Sequence, residues 1–475
     1  MNCDIVFKNA RIHDGEKFLP VGTAIGIAKG RIRLSTIPGS LTAGETVDVV
    51  GLALSPPFVD THSHGDLRAF TRNGANLLAQ GCGTVLIGQC GFSPWGECGN
   101  HPVFLEDNPA GTFKNAGEYF AALAARSPSL ELLSFAGLHA LMPLDGAEDR
   151  LREAMDAGCI GLSVGLNYTG QLHTSTMDII RLAKVLKEYD GRRWAGIAWH
   201  MRNPGAEFDA SVKEIVEVHE RTGVPCHVNH FKRNGLKNPT DVAAALELFE
   251  KYPAITAEMY PYDVSWTMLE YLISQGASRV SETAPLERKA AVGCEVCCPV
   301  EGWHDVVPVS GVPLEWRGRS VAAIAEERRM APEKVCAEIF RQDPATTACY
   351  RHTCLPSDYE SVLRWKRGLV GGDGHLYDEG EPGHHPRSFG ALAKSFRLLV
   401  DNLFLSEEKA IAKLTSEPRH TFRLDGGRVL DGAAADLCLW DPAAYKDHAT
   451  LDRSNALASG VKRMWRHGRI VYPKP

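Results

Sequence analysis

This sequence predicts an α/β chain: a (β/α)8 barrel of the TIM type with a small β-sandwich built from both chain termini. Three observations predict it. Short apolar runs alternate with amphipathic helical stretches between about residues 53 and 400, the signature of repeated βα units on a parallel sheet. The two ends of the chain share a different, β-rich texture. Finally, the reactive side chains fall at the C-terminal ends of the apolar runs, where a barrel builds its site.

The elements follow in order. Residues 4–13 (DIVFKNARIH) alternate apolar and polar, and residues 24–33 (AIGIAKGRIR) carry a Lys-Gly hairpin signal, giving residues 1–54 to the N-terminal part of the sandwich. Residues 55–405 form the barrel. Its eight runs are 57–62, 83–90, 132–139, 160–166, 194–200, 225–230, 255–260 and 367–373. Between the last two lies an insertion of about a hundred residues, about 263–366, too long for an ordinary βα loop and placed where a lid would sit. Residues 406–475 return to strand texture in 435–441 (ADLCLWD) and 461–471 (VKRMWRHGRIV), the C-terminal part of the sandwich.

Composition narrows the function. The net charge of −6 with dispersed basic residues offers no electrostatic footprint for nucleic acid, so a small-molecule partner is expected. No basic n-region precedes an apolar stretch at the N-terminus, and no run of about 18 apolar residues occurs, which predicts a cytoplasmic protein without a membrane partner. The 13 cysteines form no spaced disulfide framework and are expected as reduced thiols. A homo-oligomer is left open.

The chemistry concentrates in a few residues. His62 and His64 lie two apart at the end of a strand, so both rings project from one face toward one point. Cys90, His139, His200, His230 and Asp373 each close a proposed strand. Thiolate, imidazole and one carboxylate make a ligand set for zinc or another transition metal, not for calcium or magnesium.

In order along nearly the whole chain stand residues 57–64 (PFVDTHSH), 80–93 (QGCGTVLIGQCGFS), 161–168 (GLSVGLNY), 200–202 (HMR), 229–232 (NHFK), 260–262 (YPY), 372–374 (GDG), 385–387 (HPR) and 432–437 (GAAADL). Together they resemble the amidohydrolase superfamily and, within it, the N-acyl-D-amino-acid deacylases, or D-aminoacylases. The resemblance implies hydrolysis of an N-acyl-D-amino acid to a carboxylic acid and the free amino acid. It implies one tightly bound zinc on Cys90, His200 and His230, and a second, weak or empty site on His62, His64 and Asp373. Amidohydrolases with two metals commonly bridge them with a lysine or glutamate on strand four; residues 160–166 have neither, and Cys90 supplies the anionic ligand as in the D-aminoacylases. Asp373 becomes the general base, and Lys232, Tyr168, Tyr262 and Arg387 the substrate-binding residues, with cationic and phenolic donors suited to a free α-carboxylate.

Other residues are read more plainly. His227, three before His230, is expected to face away from the barrel interior as a structural residue. His139 is a candidate for supporting a ligand or an oxyanion. Cys294, Cys297 and Cys298 lack a fourth ligand nearby and are read as ordinary thiols. After residue 262 the chain departs from the family pattern: Trp266 stands where a hydroxyl would face the substrate, and a second arginine could be Arg288, Arg317 or Arg319. Two rivals remain. A cyclic-amide hydrolase of dihydroorotase or hydantoinase type would normally carry the strand-four lysine, and an inactive scaffold should have lost ligands.

Overall fold

A computed structural model of the chain describes residues 1–96, 98, 112–168, 170–238, 240–269, 302–343 and 346–473. Each expected apolar run holds a strand, and each pairing between successive strands is parallel. In order they are Phe58–Asp60, Cys82–Ile87, Glu131–Ser134 continued by Ala136–Gly137, Gly161–Gly165, Gly196–His200, Cys226–Val228, Ile255–Met259 and Gly368–Val370. The ladder is divided in two, one sheet of three strands and one of six. The division falls at Phe135, whose N–H nevertheless donates to the Ile87 carbonyl at 3.0 Å. Beyond the eighth strand, the Thr61 N–H and hydroxyl both donate to the Val370 carbonyl, at 3.3 and 3.0 Å, so the first strand lies beside the last.

These strands are short and, apart from the half-buried Glu131–Ser134, almost wholly buried on both faces, as expected of parallel strands under helices. All five residues of Gly196–His200 are buried. The helix that follows, Phe208–Thr222, buries Phe208, Val212, Ile215 and Val218 on one stripe and stops at Gly223, which takes the left-handed conformation. A capping box of Ser175 and Asp178 starts the preceding helix, Thr176–Leu186. A compact apolar cluster draws Leu86, Phe135, Ile160, Ala198 and Leu369 from five strand regions around Phe422.

Both termini contribute to one five-stranded sheet, ordered Arg11–Ile12, Ala53–Ser55, Leu437–Trp440, Val461–Arg466 and Arg469–Tyr472. A four-stranded sheet of N-terminal residues shares its apolar core, with the Phe7 and Trp465 rings 5.2 Å apart. Residues 461–471, read above as one strand, are a hairpin; His467 and Gly468 both adopt positive φ and turn the chain back.

Among the described residues, the insertion after the seventh strand holds a three-stranded antiparallel sheet, Ser265–Met268, Thr347–Tyr350 and Val306–Pro308, with helices Val321–Arg328 and Pro332–Gln342 packed on it. It is shorter than expected. Helix Pro356–Arg364 packs on the seventh and eighth strands and buries Val362 and Leu363 there, so it belongs to the repeating βα pattern. Among the described residues, no helix is long and apolar enough to cross a membrane.

Candidate active site

The strand ends bring Cys90, His62, His64, His200, His230 and Asp373 into one cluster. Cys90 Sγ is its hub, 3.5 Å from His62 Nε2, 3.5 Å from His200 Nδ1 and 3.6 Å from His230 Nε2. Asp373 Oδ1 stands 3.4 Å from His62 Nε2 and 3.3 Å from His64 Nε2, and the two imidazole nitrogens are 3.4 Å apart. Local backbone explains the convergence. Cys90, His230 and Asp373 all have positive φ, of 55°, 33° and 49°, which breaks strand alternation and turns each side chain inward. Gly165 at the end of strand four leaves the room: a Cβ there would sit 2.1 Å from the Cys90 carbonyl oxygen.

Burial opposes charge in this cluster, and the neighbours overcome it. Desolvation alone would raise the Cys90 thiol, but the His62 and His200 rings hold it well below the usual thiol range. Desolvation would likewise raise Asp373, which Arg387 and then His62 keep far below the ordinary carboxylate range. The Arg387 guanidinium is 2.9 Å from Asp373 Oδ2. His230 is pushed down to about 3 by burial and the nearby His200, leaving a neutral imidazole, the form that binds metal.

Two carboxylates behind the cluster were missed in the sequence. Glu258 Oε1 lies 2.7 Å from His62 Nδ1 and accepts the His230 backbone N–H at 2.6 Å. Asp60 Oδ1 accepts the backbone N–H groups of His62 at 3.1 Å and Gly372 at 2.7 Å. A signal for Glu258 was available: an acidic residue inside the otherwise apolar strand Ile255–Met259, which is buried throughout.

A cavity opens in front of the cluster, lined among others by Phe92, Asn167, Tyr168, Met201, Lys232, Tyr260, Trp266, Met268, Tyr350, His375 and Arg387. Lys232 is buried and donates from Nζ to the Tyr260 hydroxyl at 3.1 Å. The Tyr168 hydroxyl stands 3.3 Å from His200 Nδ1. Tyr262 requires a correction: of the two tyrosines in residues 260–262, Tyr260 lines the cavity. The Tyr262 ring lies under Lys394, whose Nζ is 4.0 Å from its centroid, and its hydroxyl faces Gly390. Arg387 is at the cavity, but one arm is committed to Asp373 and another donates to the Trp266 carbonyl at 3.3 Å.

His227 also departs from expectation. It pairs in register with Ala198 and Thr256, and so shares the face from which His200 projects. The positive φ of His230 breaks the alternation on which the outward assignment depended. His227 is nonetheless held within the fold, with Nδ1 2.8 Å from the Thr256 hydroxyl. His139 packs beside Phe92 and beneath Gly170. Trp266 does line the cavity, whereas Arg317 and Arg319 do not; Arg319 pairs with Glu327. Arg288, Cys294, Cys297 and Cys298 lie outside the described residues.

The donors fit a metal. Two trios, His62 with Cys90 and His230, and His62 with His64 and Asp373, each bring three ligand atoms within 4.8 Å of one another. The depressed thiol of Cys90 and the neutral imidazole of His230 are donors that zinc selects, whereas, against burial, Asp373 and Cys90 raise His62 and His64, which would shed a proton on binding a metal. The first trio holds His62 where the resemblance implies His200, whose Nδ1 lies 3.5 Å from Cys90 Sγ, and His62 belongs to both trios.

No protein-family model matches the chain. An N-acyl-D-glutamate deacylase of Alcaligenes xylosoxydans xylosoxydans is 27% identical over 499 residues, covering 99% of this chain and 94% of the relative. A D-aminoacylase of the same organism is 26% identical over 494 residues, covering 99% and 94%. Among solved structures, the N-acyl-D-glutamate deacylase of Bordetella bronchiseptica, complexed with zinc and a phosphonate mimic of the tetrahedral intermediate, superposes with a TM-score of 0.84. The two chains are 25% identical, with 100% of this chain and 98% of the other covered.

Proposed function

From a chain homologous along its length to D-aminoacylases and N-acyl-D-glutamate deacylases, we propose a metal-dependent amidohydrolase that hydrolyses the amide of N-acyl-D-amino acids to a carboxylic acid and a free D-amino acid. One observation carries this most: thiol, imidazole and carboxylate donors meet at the strand ends, before a cavity that also holds a buried lysine. In the same reading the eight parallel strands close as a barrel, and the two terminal sheets form its satellite sandwich.

Cys90, His200 and His230 would hold a tight zinc, with His62, His64 and Asp373 as a weaker second site. Zinc bound there supplies Lewis acidity and brings the pKa of a water toward neutrality. The remaining steps belong to the chain. Asp373, held ionised by Arg387, takes the proton of the attacking water and delivers it to the leaving nitrogen. Lys232 receives the substrate α-carboxylate, which would replace the Tyr260 hydroxyl as its partner or share it. Tyr168 adds a hydroxyl donor beside His200. Arg387 keeps Nε without a partner among the described residues, so it can serve the substrate while fixing the base. The ten described cysteines are all free thiols, which suits the cytoplasm as working compartment.

The test is hydrolysis of a panel of N-acetyl and N-formyl amino acids in both enantiomers, with zinc content measured on the same preparation. Turnover confined to D-substrates by zinc-loaded protein is expected. Zinc without turnover of any linear substrate would overturn the assignment and direct attention to cyclic amides, and protein that takes up no zinc would leave an inactive scaffold.

A further inference from the structure

We propose that Glu258 is a positioning residue that sets the tautomer of His62 and the backbone of His230 for metal binding; this rests on the zinc-site reading above. The ring of His62 has two distinct sides. Its Nε2 faces the cluster, 3.5 Å from Cys90 Sγ and 3.4 Å from Asp373 Oδ1. Its Nδ1 faces Glu258 Oε1 at 2.7 Å. A carboxylate accepting from Nδ1–H keeps the proton on that nitrogen, so the Nε2 lone pair points where a metal would sit.

The same oxygen does a second task. Glu258 Oε1 accepts the His230 N–H at 2.6 Å, and His230 is the residue whose φ of 33° aims its ring at Cys90. One atom therefore ties a donor of the proposed tight site to a donor of the proposed weak one. Glu258 also accommodates its other oxygen in an unusual way. Oε2 has no hydrogen-bond partner among the described residues and lies against Gly371, where a Cβ would be 2.1 Å away. Burying a carboxylate with one oxygen unpartnered is costly, and a neutral side chain could brace the backbone alone. Asp60 already holds the backbone of the His62 segment. What the charge of Glu258 adds is basicity at the ligating nitrogen.

The test compares E258Q, nearly isosteric and uncharged, with the wild-type protein. Cobalt is titrated into metal-free protein and followed by thiolate-to-metal absorption, without substrate, alongside thermal melting of the metal-free form. E258Q is expected to bind cobalt about 10- to 100-fold more weakly. Its metal-free melting temperature should be unchanged, and excess zinc should restore turnover at unaltered KM. A residue that only braces the fold would instead lower the melting temperature and leave metal affinity as in wild type, and that result would overturn the proposal. Should E258Q fail to fold, E258D decides: the charge remains but cannot span both donors, so weakened cobalt binding supports the role and wild-type affinity overturns it. Wild-type protein that binds no cobalt also overturns it. Wild-type protein that binds cobalt yet cleaves no N-acyl-D-amino acid removes the deacylase assignment alone and leaves the role of Glu258 standing.

Discussion

Two walls face each other across the cavity, and they are built differently. The strand-end wall presents Cys90, His200, His230 and Asp373, three of them in left-handed backbone, with Glu258 and Asp60 buried behind. The facing wall presents Trp266, Thr267, Met268, Thr347 and Tyr350 from an antiparallel sheet that has its own apolar core. The first wall uses backbone strain and buried charge to fix donor positions; the second is ordinary apolar packing. In the proposed enzyme, chemistry belongs to the strand ends and choice of side chain to the insertion. Arg387 joins the two, pairing with Asp373 and donating to the Trp266 carbonyl.

Substitutions on the strand-end wall should have the largest effects. Cys90→Ala removes the hub of the cluster, and zinc content and turnover are expected to disappear together. Metal analysis of the purified variant checks this, and a variant that kept stoichiometric zinc would displace Cys90 from the ligand set. Asp373→Asn should separate the two: zinc stays, while kcat falls by about 10²- to 10⁴-fold, the usual worth of a general base. Near-normal turnover by the Asn variant would mean that another group moves the proton.

How much of this division was legible in the sequence depends on the range of the signal. Each of the eight strands announced itself by a local apolar run, and the hairpin at Lys29 and Gly30 by its turn residues, both of which adopt positive φ. Cys90 and the histidines could be named because a strand end is a local feature with a distinctive residue. Tyr262 could not be separated from Tyr260 in the same way. Two residues apart on a strand share a face, but the chain leaves the strand at Met259, and packing against Lys394 takes Tyr262 elsewhere. Glu258 was missed because its partners, His62 and His230, are 196 and 28 positions away. The helix Pro356–Arg364 was absorbed into the insertion because nothing in its own residues says which sheet it covers.

Between the two walls stands Lys232, and its replacement should have an intermediate effect of a different kind. Lys232→Met keeps most of the buried stem and removes the ammonium that donates to Tyr260. A charge-assisted hydrogen bond to the substrate carboxylate is worth about 1.5–3 kcal/mol, so KM should rise roughly 10- to 100-fold. Zinc content should stay at the wild-type level. An unchanged KM would show that the carboxylate is held elsewhere, with Arg387 the next candidate.

The smallest effect is expected on the insertion wall, and it tests the division most sharply. Trp266 is 9% exposed, lines the cavity, and packs tilted against His375 with ring centroids 4.7 Å apart. Trp266→Ala enlarges the pocket without touching a donor of the cluster. Apolar pocket contacts discriminate by about 1–3 kcal/mol, so the ratio of kcat/KM for large over small D-substrates should move by about 10- to 200-fold in favour of the large. Zinc content and the preference for D over L should not move. Arg387 supplies the way this could fail, because its guanidinium lies 5.6 Å from the Trp266 ring centroid as well as beside Asp373. If Trp266→Ala lowered kcat equally for all substrates, the tryptophan would be acting on the base through that arginine, and the two walls would be one machine.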